Sequence, residues 1–260
     1  MKAELVEKNK EKIIFVIKES SPAFTNALRR IMAGRVPTMA IDEVEFRKNN
    51  SALYDEVVAH RIGLISLTTD LESYVLPSEC KCNGEGCARC TLKLTLKEKG
   101  PKTVYASDFK SKDPKVKPVY PKTIITKLIN EQEIELEATA VLGLGAVHSK
   151  WSPGLIHYKH APNINIDDSK ISNPEAVIAV CPVDVFEIKN KKLTLNEKNL
   201  LKCHDCEACV DVSTGAISID YKNDYVFYIE SWGQLAPADI AIQGTEVLDK
   251  KLDEFTEALK

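Results

Sequence analysis

Apolar positions set the first elements. Ile13, Phe15 and Ile17 interleave with Ile14, Val16 and Lys18, the pattern of a strand buried on one face or both. The charged stretch after Met1 is strand-like as well. Ser20-Ser21-Pro22 then supplies a helix N-cap with proline at the first helical position. Phe24, Leu28, Ile31 and Met32 follow at helical spacing. The pattern predicts a short amphipathic helix with Asn26, Arg29 and Arg30 on its polar face, closed at Gly34 in a left-handed conformation. Met39 to Phe46 reads as a strand, Asn49-Asn50-Ser51 as a turn, and Asp55 to about Ile62 as a second helix ending at Gly63.

Between Cys80 and Thr139 the period falls to two. Leu92, Leu94 and Leu96 alternate with lysine and threonine, and Ile134, Leu136 and Ala138 with acidic neighbours. Lys110 to Pro121 carries three prolines among many charges, which predicts an exposed loop. The pattern shifts again near Asn173-Pro174, where a compact cysteine-bearing unit begins and runs to about Tyr221; Tyr225 to Ile229 is a strand. From Pro237 onward Ile240, Leu248, Leu252, Phe255 and Leu259 fall on one stripe of a terminal helix. That stripe has to be covered, by the chain's own domain or by a partner.

Composition narrows the class. The 260 residues, 44% hydrophobic and 28% charged, describe an ordinary globular chain of two or three compact units. No apolar run reaches bilayer length, and the N-terminus lacks the apolar core of a signal peptide, so no membrane and a cytoplasmic location are expected. The net charge of −3 is spread along the chain, whereas a free-standing nucleic-acid binder concentrates basic residues on one surface. The sequence carries neither a carboxylate triad for magnesium nor a nucleophile motif. Asp167-Asp168 is an isolated pair in a polar turn, and His60 has no acidic partner in sequence. No catalytic residue is expected.

The chemistry lies in the cysteines. Eight fall in two tight groups, and in a reducing compartment that spacing points to metal before disulfide. Cys203-x2-Cys206-x2-Cys209 is half of a bacterial ferredoxin signature, whose fourth ligand comes from a remote Cys-Pro; Cys181-Pro182 supplies one. Downstream, Ser213 to Ile219 is similar to the end of a second ferredoxin half, with Val212 and Ser213 where its Cys-Pro would stand. Two clusters need eight ligands, and this unit holds four. The expectation is one 4Fe–4S cluster on Cys181, Cys203, Cys206 and Cys209, or 3Fe–4S if one ligand is loose. A four-cysteine zinc site on the same residues is the alternative. In the first group, Cys80-x-Cys82-x4-Cys87-x2-Cys90, the Asn83-Gly84-Glu85-Gly86 loop joins two close cysteine pairs. A structural zinc would staple this loop, which has little core of its own; disulfides or a second cluster are the other readings.

Phe24-Thr25-Asn26-Ala27-Leu28-Arg29-Arg30-Ile31, continuing into Val36 to Val44, and Asp55-Glu56-Val57-Val58-Ala59-His60-Arg61-Ile62-Gly63-Leu64-Ile65 are two of three telling stretches. With the ferredoxin-like insertion they resemble the archaeal RNA polymerase D-subunit (Rpo3) family, kin of the bacterial alpha subunit's N-terminal domain. The resemblance implies an α+β fold whose dimerisation domain, residues 1–50 plus 223–260, is split around two insertions. These are a strand-rich domain at 51–172 and a ferredoxin-like iron–sulfur domain at 173–222. It implies a non-catalytic assembly subunit of a DNA-directed RNA polymerase, a nucleotidyltransferase complex. Subunit L would be its heterodimer partner, subunits N and P and the large catalytic subunits would join later, and DNA would be met only through the assembled enzyme. Asn26, Arg29, Arg30, His60 and Arg61 become interface or fold-defining residues. An iron–sulfur electron-transfer or redox-sensing protein is the competing expectation.

Overall fold

The alternations and helical stripes become a mixed fold with several sheets. In the computed structural model, which describes residues 1–190 and 192–260, the chain opens with β1 (Lys2–Lys8), β2 (Lys12–Lys18), α1 (Pro22–Gly34), β3 (Pro37–Asn49) and α2 (Asp55–Gly63). It continues through β4 (Thr91–Lys99), β5 (Lys102–Tyr105), β6 (Lys110–Ser111), β7 (Ile124–Leu128), β8 (Glu133–Leu144) and β9 (Gly154–Ile166). The last third holds α3 (Pro174–Val180), β10 (Phe186–Lys189), β11 (Lys192–Leu195), α4 (Glu197–Leu200), α5 (Ala208–Val212), β12 (Ile217–Ser231) and α6 (Pro237–Ala258). Packing divides the chain into two units. One comprises Met1–Glu7, Ile14–Thr25 and His157–Tyr228; the other comprises Lys8–Ile13, Asn26–Ile156 and Ile229–Lys260.

The larger unit is organised by the sheet β3-β8-β4-β6. β8 pairs antiparallel with β3 and with β4, placing Leu136 opposite Phe46 and Leu96, and Ala138 opposite Leu94. Leu94, Leu96, Ile134, Leu136 and Ala138 are all buried. The alternate residues of β8 face outward, where Glu133, Glu135 and Glu137 meet Lys99, Lys97 and Lys93 at 3.3, 2.6 and 2.5 Å. Exposed pairs of this kind contribute at most about 1 kcal/mol each, against about 1.5–3 kcal/mol for each buried leucine. The apolar half of the alternation therefore holds the sheet. Helix α2 adds Val58 and Ile62 to the same core. Asp55 and Glu56 in its first turn and His60 and Arg61 in its last suit the helix dipole. Arg61 Nη1 donates to the carbonyl of Ile125 on β7 at 2.9 Å.

Two expectations about this unit need correction. Helix α1 starts as expected, with the Ser21 hydroxyl accepting from Phe24 N at 3.2 Å. At its other end Gly34 is not left-handed; its carbonyl accepts from Ala146 N at 2.9 Å, with the Ala146 side chain close by. A Cβ at Gly34 would make only ordinary contacts with Ala146; the close approach falls at Gly145, where a Cβ would collide with the Ala33 carbonyl. Nor is Lys110–Pro121 simply exposed. Val116 is fully buried, Pro118 bridges to Leu67, and Tyr74 OH donates to Asp113 at 2.9 Å. A single valine among charges gives no periodic signal, so its burial was hidden.

The smaller unit is built on the sheet β1-β2-β12-β9. Phe15 stacks on Phe227 with centroids 5.3 Å apart, Tyr158 leans on the same ring, and Tyr225 and Val226 are buried. β12 extends well beyond the Tyr225–Ile229 strand read from the sequence. β9 was not anticipated, because His157, Lys159, His160, Asn163 and Asn165 mask its strand pattern. The cysteine-bearing segment makes its own core from Val177, Val185, Phe186, Leu193 and Ile217, with Cys203 and Cys209 among them. Among the described residues, no helix is long and apolar enough to cross a membrane.

Trp151 pins the exit of β8, its Nε1 donating to Val141 O at 3.3 Å while its carbonyl accepts from Thr38 Oγ1 at 2.7 Å. A Cβ at Gly143 would overlap the Trp151 indole. Gly143→Ala is expected to cost about 1–3 kcal/mol. In a thermal melt this reads as a fall in Tm of roughly 5 °C.

Candidate metal centres

A run of left-handed residues folds the first cysteine group. Asn83, Gly84 and Gly86 all have positive φ, at 53°, 84° and 90°. They fit the Asn-Gly-Glu-Gly sequence because glycine and asparagine enter that region most readily. Cys80 O accepts from Asn83 N at 2.9 Å, Cys82 O from Glu85 N at 3.1 Å, and Cys87 O from Cys90 N at 3.0 Å. The turns draw four sulfurs into a knot. Cys80 to Cys82 is 3.4 Å, Cys80 to Cys87 and Cys82 to Cys90 are 3.5 Å, and Cys87 to Cys90 is 3.9 Å. All four sulfurs lie within 4.8 Å of one another and could hold a metal ion. A disulfide needs sulfurs about 2.05 Å apart, so these are free thiols. A tetrahedron of bonds about 2.3 Å long has edges of about 3.8 Å, close to the observed spacing.

Their protonation is uneven. The Cys87 N–H beside Cys82 leads several hydrogen bonds that pull its thiol down to about 6. Burial, followed by neighbouring sulfurs, pushes Cys90 up to about 12. A bound cation reverses the second effect, since it deprotonates a coordinating thiol.

The second group is spread more widely. Asn173 Oδ1 accepts from Ala176 N at 3.1 Å and caps α3, which ends at Cys181. Cys203 and Cys206 follow on the loop entering α5 and Cys209 in its first turn, and all four cysteines line one pocket walled by Val183, Val185, Phe186 and Ile219. Among the described residues, only the first group is drawn into a knot of the 4.8 Å kind. Asp205 and Glu207, on either side of Cys206, are left-handed at φ 54° and 58°, as is Asp184 at 52° beside the Cys181-Pro182 turn. Left-handed residues of this kind are a component of the backbone nests that bind anions and iron–sulfur clusters in proteins generally. Val185 N donates to Cys181 Sγ at 3.4 Å. Burial pushes the thiols of Cys203 and Cys209 up, while Cys206 is exposed. Ser213 is part of the local frame, its hydroxyl donating to Val210 O at 3.0 Å and accepting from Ile217 N at 3.1 Å.

Two residues that give no signal in the sequence hold this loop. Lys159 Nζ donates to Cys203 O at 2.6 Å, and Tyr228 OH to Leu201 O at 3.2 Å. Of the polar residues singled out on the helices, Arg29 is tied to Asn26 Oδ1 at 3.2 and 2.9 Å. Arg30 and Arg35 are exposed and share a cleft with Lys251, and His60 is exposed on α2. Asp167 pairs with Lys170 at 2.9 Å and Asp168 with Lys192 at 3.2 Å, as loop features do.

Residues 42–158 match a family described as the RNA polymerase Rpb3/RpoA insert domain. Over nearly its whole length the chain is similar to proteins called DNA-directed RNA polymerase subunit Rpo3. That of Methanosphaera stadtmanae is 40% identical over 97% of this chain and 96% of its own length. That of Methanosarcina mazei is 38% identical over 98% and 97%, and that of Pyrococcus furiosus 35% identical over 100% and 97%.

Metal at the Cys80–Cys90 knot must compete with protons. Retention is expected at neutral pH and to weaken as pH falls into the acid range, because protons displace metal from thiolates. Metal analysis after dialysis across that range checks the direction. Cys90→Ser should lower the retained metal by about one ion per chain.

Proposed function

The chain belongs to the archaeal Rpo3 (D-subunit) family of DNA-directed RNA polymerase components, and from that premise we propose that it is the non-catalytic platform on which the polymerase assembles. It heterodimerises with the small subunit L, and subunits N and P and the large catalytic subunits then dock. It meets DNA only inside the finished enzyme. Residues 1–50 plus 223–260 serve as the dimerisation part, 51–172 as the inserted strand-rich part, and 173–222 as a ferredoxin-like iron–sulfur part.

One observation carries the platform reading. Helix α6 is buried in its first turns, at Ile240 and Gly244, with Gly244 facing Met32 of α1, and further along only a surface ion pair, Lys250 to Glu79 at 3.2 Å, is seen among the described residues. Its last turns carry Leu252, Phe255 and Leu259 at 54%, 63% and 72% exposure. A contiguous apolar stripe left in water is the mark of a surface that another chain covers.

The second cysteine group supports one iron–sulfur cluster as cofactor. The four thiols line one pocket and are more widely spaced than the first group, in keeping with a group larger than a single ion, and left-handed residues flank Cys206 as they do in anion-binding nests. Soft thiolate ligation there supplies a covalent cross-link between distant segments and a centre capable of one-electron chemistry. The chain's own part is to orient the ligands: α3 presents Cys181, the Val185 N–H steadies its sulfur, and apolar Val183 and Phe186 keep water back. The tighter Cys80–Cys90 knot supports a structural zinc, because its sulfur spacing suits one tetrahedral ion.

Co-expression with an L subunit of the same family is expected to give a one-to-one heterodimer. The Leu252→Asp, Phe255→Asp double variant should keep its fold by circular dichroism yet bind L at least about 30-fold more weakly, as loss of a hot spot of ~2 kcal/mol implies. Full-strength binding by that variant would sink the α6 interface. Purified without oxygen, the complex should carry about four irons, matching sulfide and one zinc per chain. Cys203→Ser should remove the iron and sulfide and leave the zinc; a variant that kept its iron would refute the ligand assignment.

A further inference from the structure

Lys159 sits half-buried on β9, and its Nζ donates to the main-chain carbonyl of Cys203 at 2.6 Å. The same Nζ lies 5.7 Å from the centroid of the Tyr228 ring. A carbonyl is a neutral acceptor, so this hydrogen bond leaves the ammonium charge in place. Keeping a cation in such surroundings is costly unless an anion shares them. Tyr228 grips the same segment two residues earlier, through Leu201 O. The sheet thus holds the approach to the ligand loop at two carbonyls, one through a neutral hydroxyl and one through a charge.

Resting on the cluster reading given above, we propose that Lys159 is a positioning residue for the iron–sulfur cluster, its ammonium anchoring the Cys203 carbonyl and offsetting the charge of the thiolate-ligated cluster. Four thiolates leave such a cluster negatively charged, and the electron added on reduction makes it more so. A fixed cation beside one ligand favours the reduced form and raises the midpoint potential. The anchor and the charge are separable, because arginine keeps the charge and the donor while methionine fills similar space without either.

The test compares the full-length chain with Lys159→Arg and Lys159→Met, all purified without oxygen and titrated with redox mediators, following visible absorption and EPR. Lys159→Met is expected to have a more negative midpoint, with the oxidised-to-reduced ratio at a fixed potential changed about tenfold, ~59 mV for a one-electron couple. Lys159→Arg should stay close to the unmodified chain. An unchanged midpoint in Lys159→Met at full iron content overturns the proposal. Equal shifts in both variants overturn it too, since packing and not charge would then be responsible. If only Lys159→Arg retains a cluster, the requirement for charge is upheld; if neither variant does, the proposal falls. Iron and sulfide in the unmodified chain are measured first. Their absence removes the cluster reading itself and the role of Lys159 with it.

Discussion

Strand β8 is hydrogen-bonded on both flanks, to β3 and to β4, and its register constrains everything in the larger unit. Side chains alternate across a strand, so a slip of one residue would send Ile134, Leu136 and Ala138 into water and bring three glutamates into the core. That penalty far exceeds anything the surface lysines return. β4 begins at Thr91, directly after the fully buried Cys90, so the same register fixes one wall of the first cysteine knot. The knot takes its placement from the sheet and its shape from the left-handed residues Asn83, Gly84 and Gly86.

The two cysteine groups present the same thiol chemistry at two spacings. Sulfurs 3.4 to 3.9 Å apart cannot all be charged without a cation between them, and that spacing suits one ion. Cys181, Cys203, Cys206 and Cys209 line one pocket together with valine, phenylalanine and isoleucine, and left-handed residues flank Cys206. A small core of its own, centred on Val177, Val185 and Phe186, carries this arrangement. Two residues of the sheet fasten it from outside, Lys159 and Tyr228.

Much of this was legible in the sequence where a physical period repeats. Helices α1, α2 and α6 follow from apolar stripes and caps, and β4 and β8 from strict alternation. The spacing of Cys80, Cys82, Cys87 and Cys90 already placed four thiols in one short loop, which the fold closes into a knot. What escaped has no local pattern. β9 is studded with polar residues whose neighbours are supplied by distant strands, and Val116 is buried in a core assembled from segments far apart in the chain. Gly34 looked like a helix stop by its identity, whereas its φ is not left-handed and the crowded glycine is Gly145, packed on the Ala33 carbonyl. The lysine beside Cys203 is separated from it by 44 positions, so no motif could join them.

The exposed end of α6 has a consequence for how much of the protein survives in a cell. An apolar stripe in water is a target for proteases and a seed for aggregation, and any chain that covers it removes that target by mass action. Copies made in excess of the covering partner stay vulnerable, and copies that find it persist. If the proposed partner is that cover, the helix would act as a stoichiometric gauge: without any separate control circuit, the amount of this subunit would follow the amount of its partner.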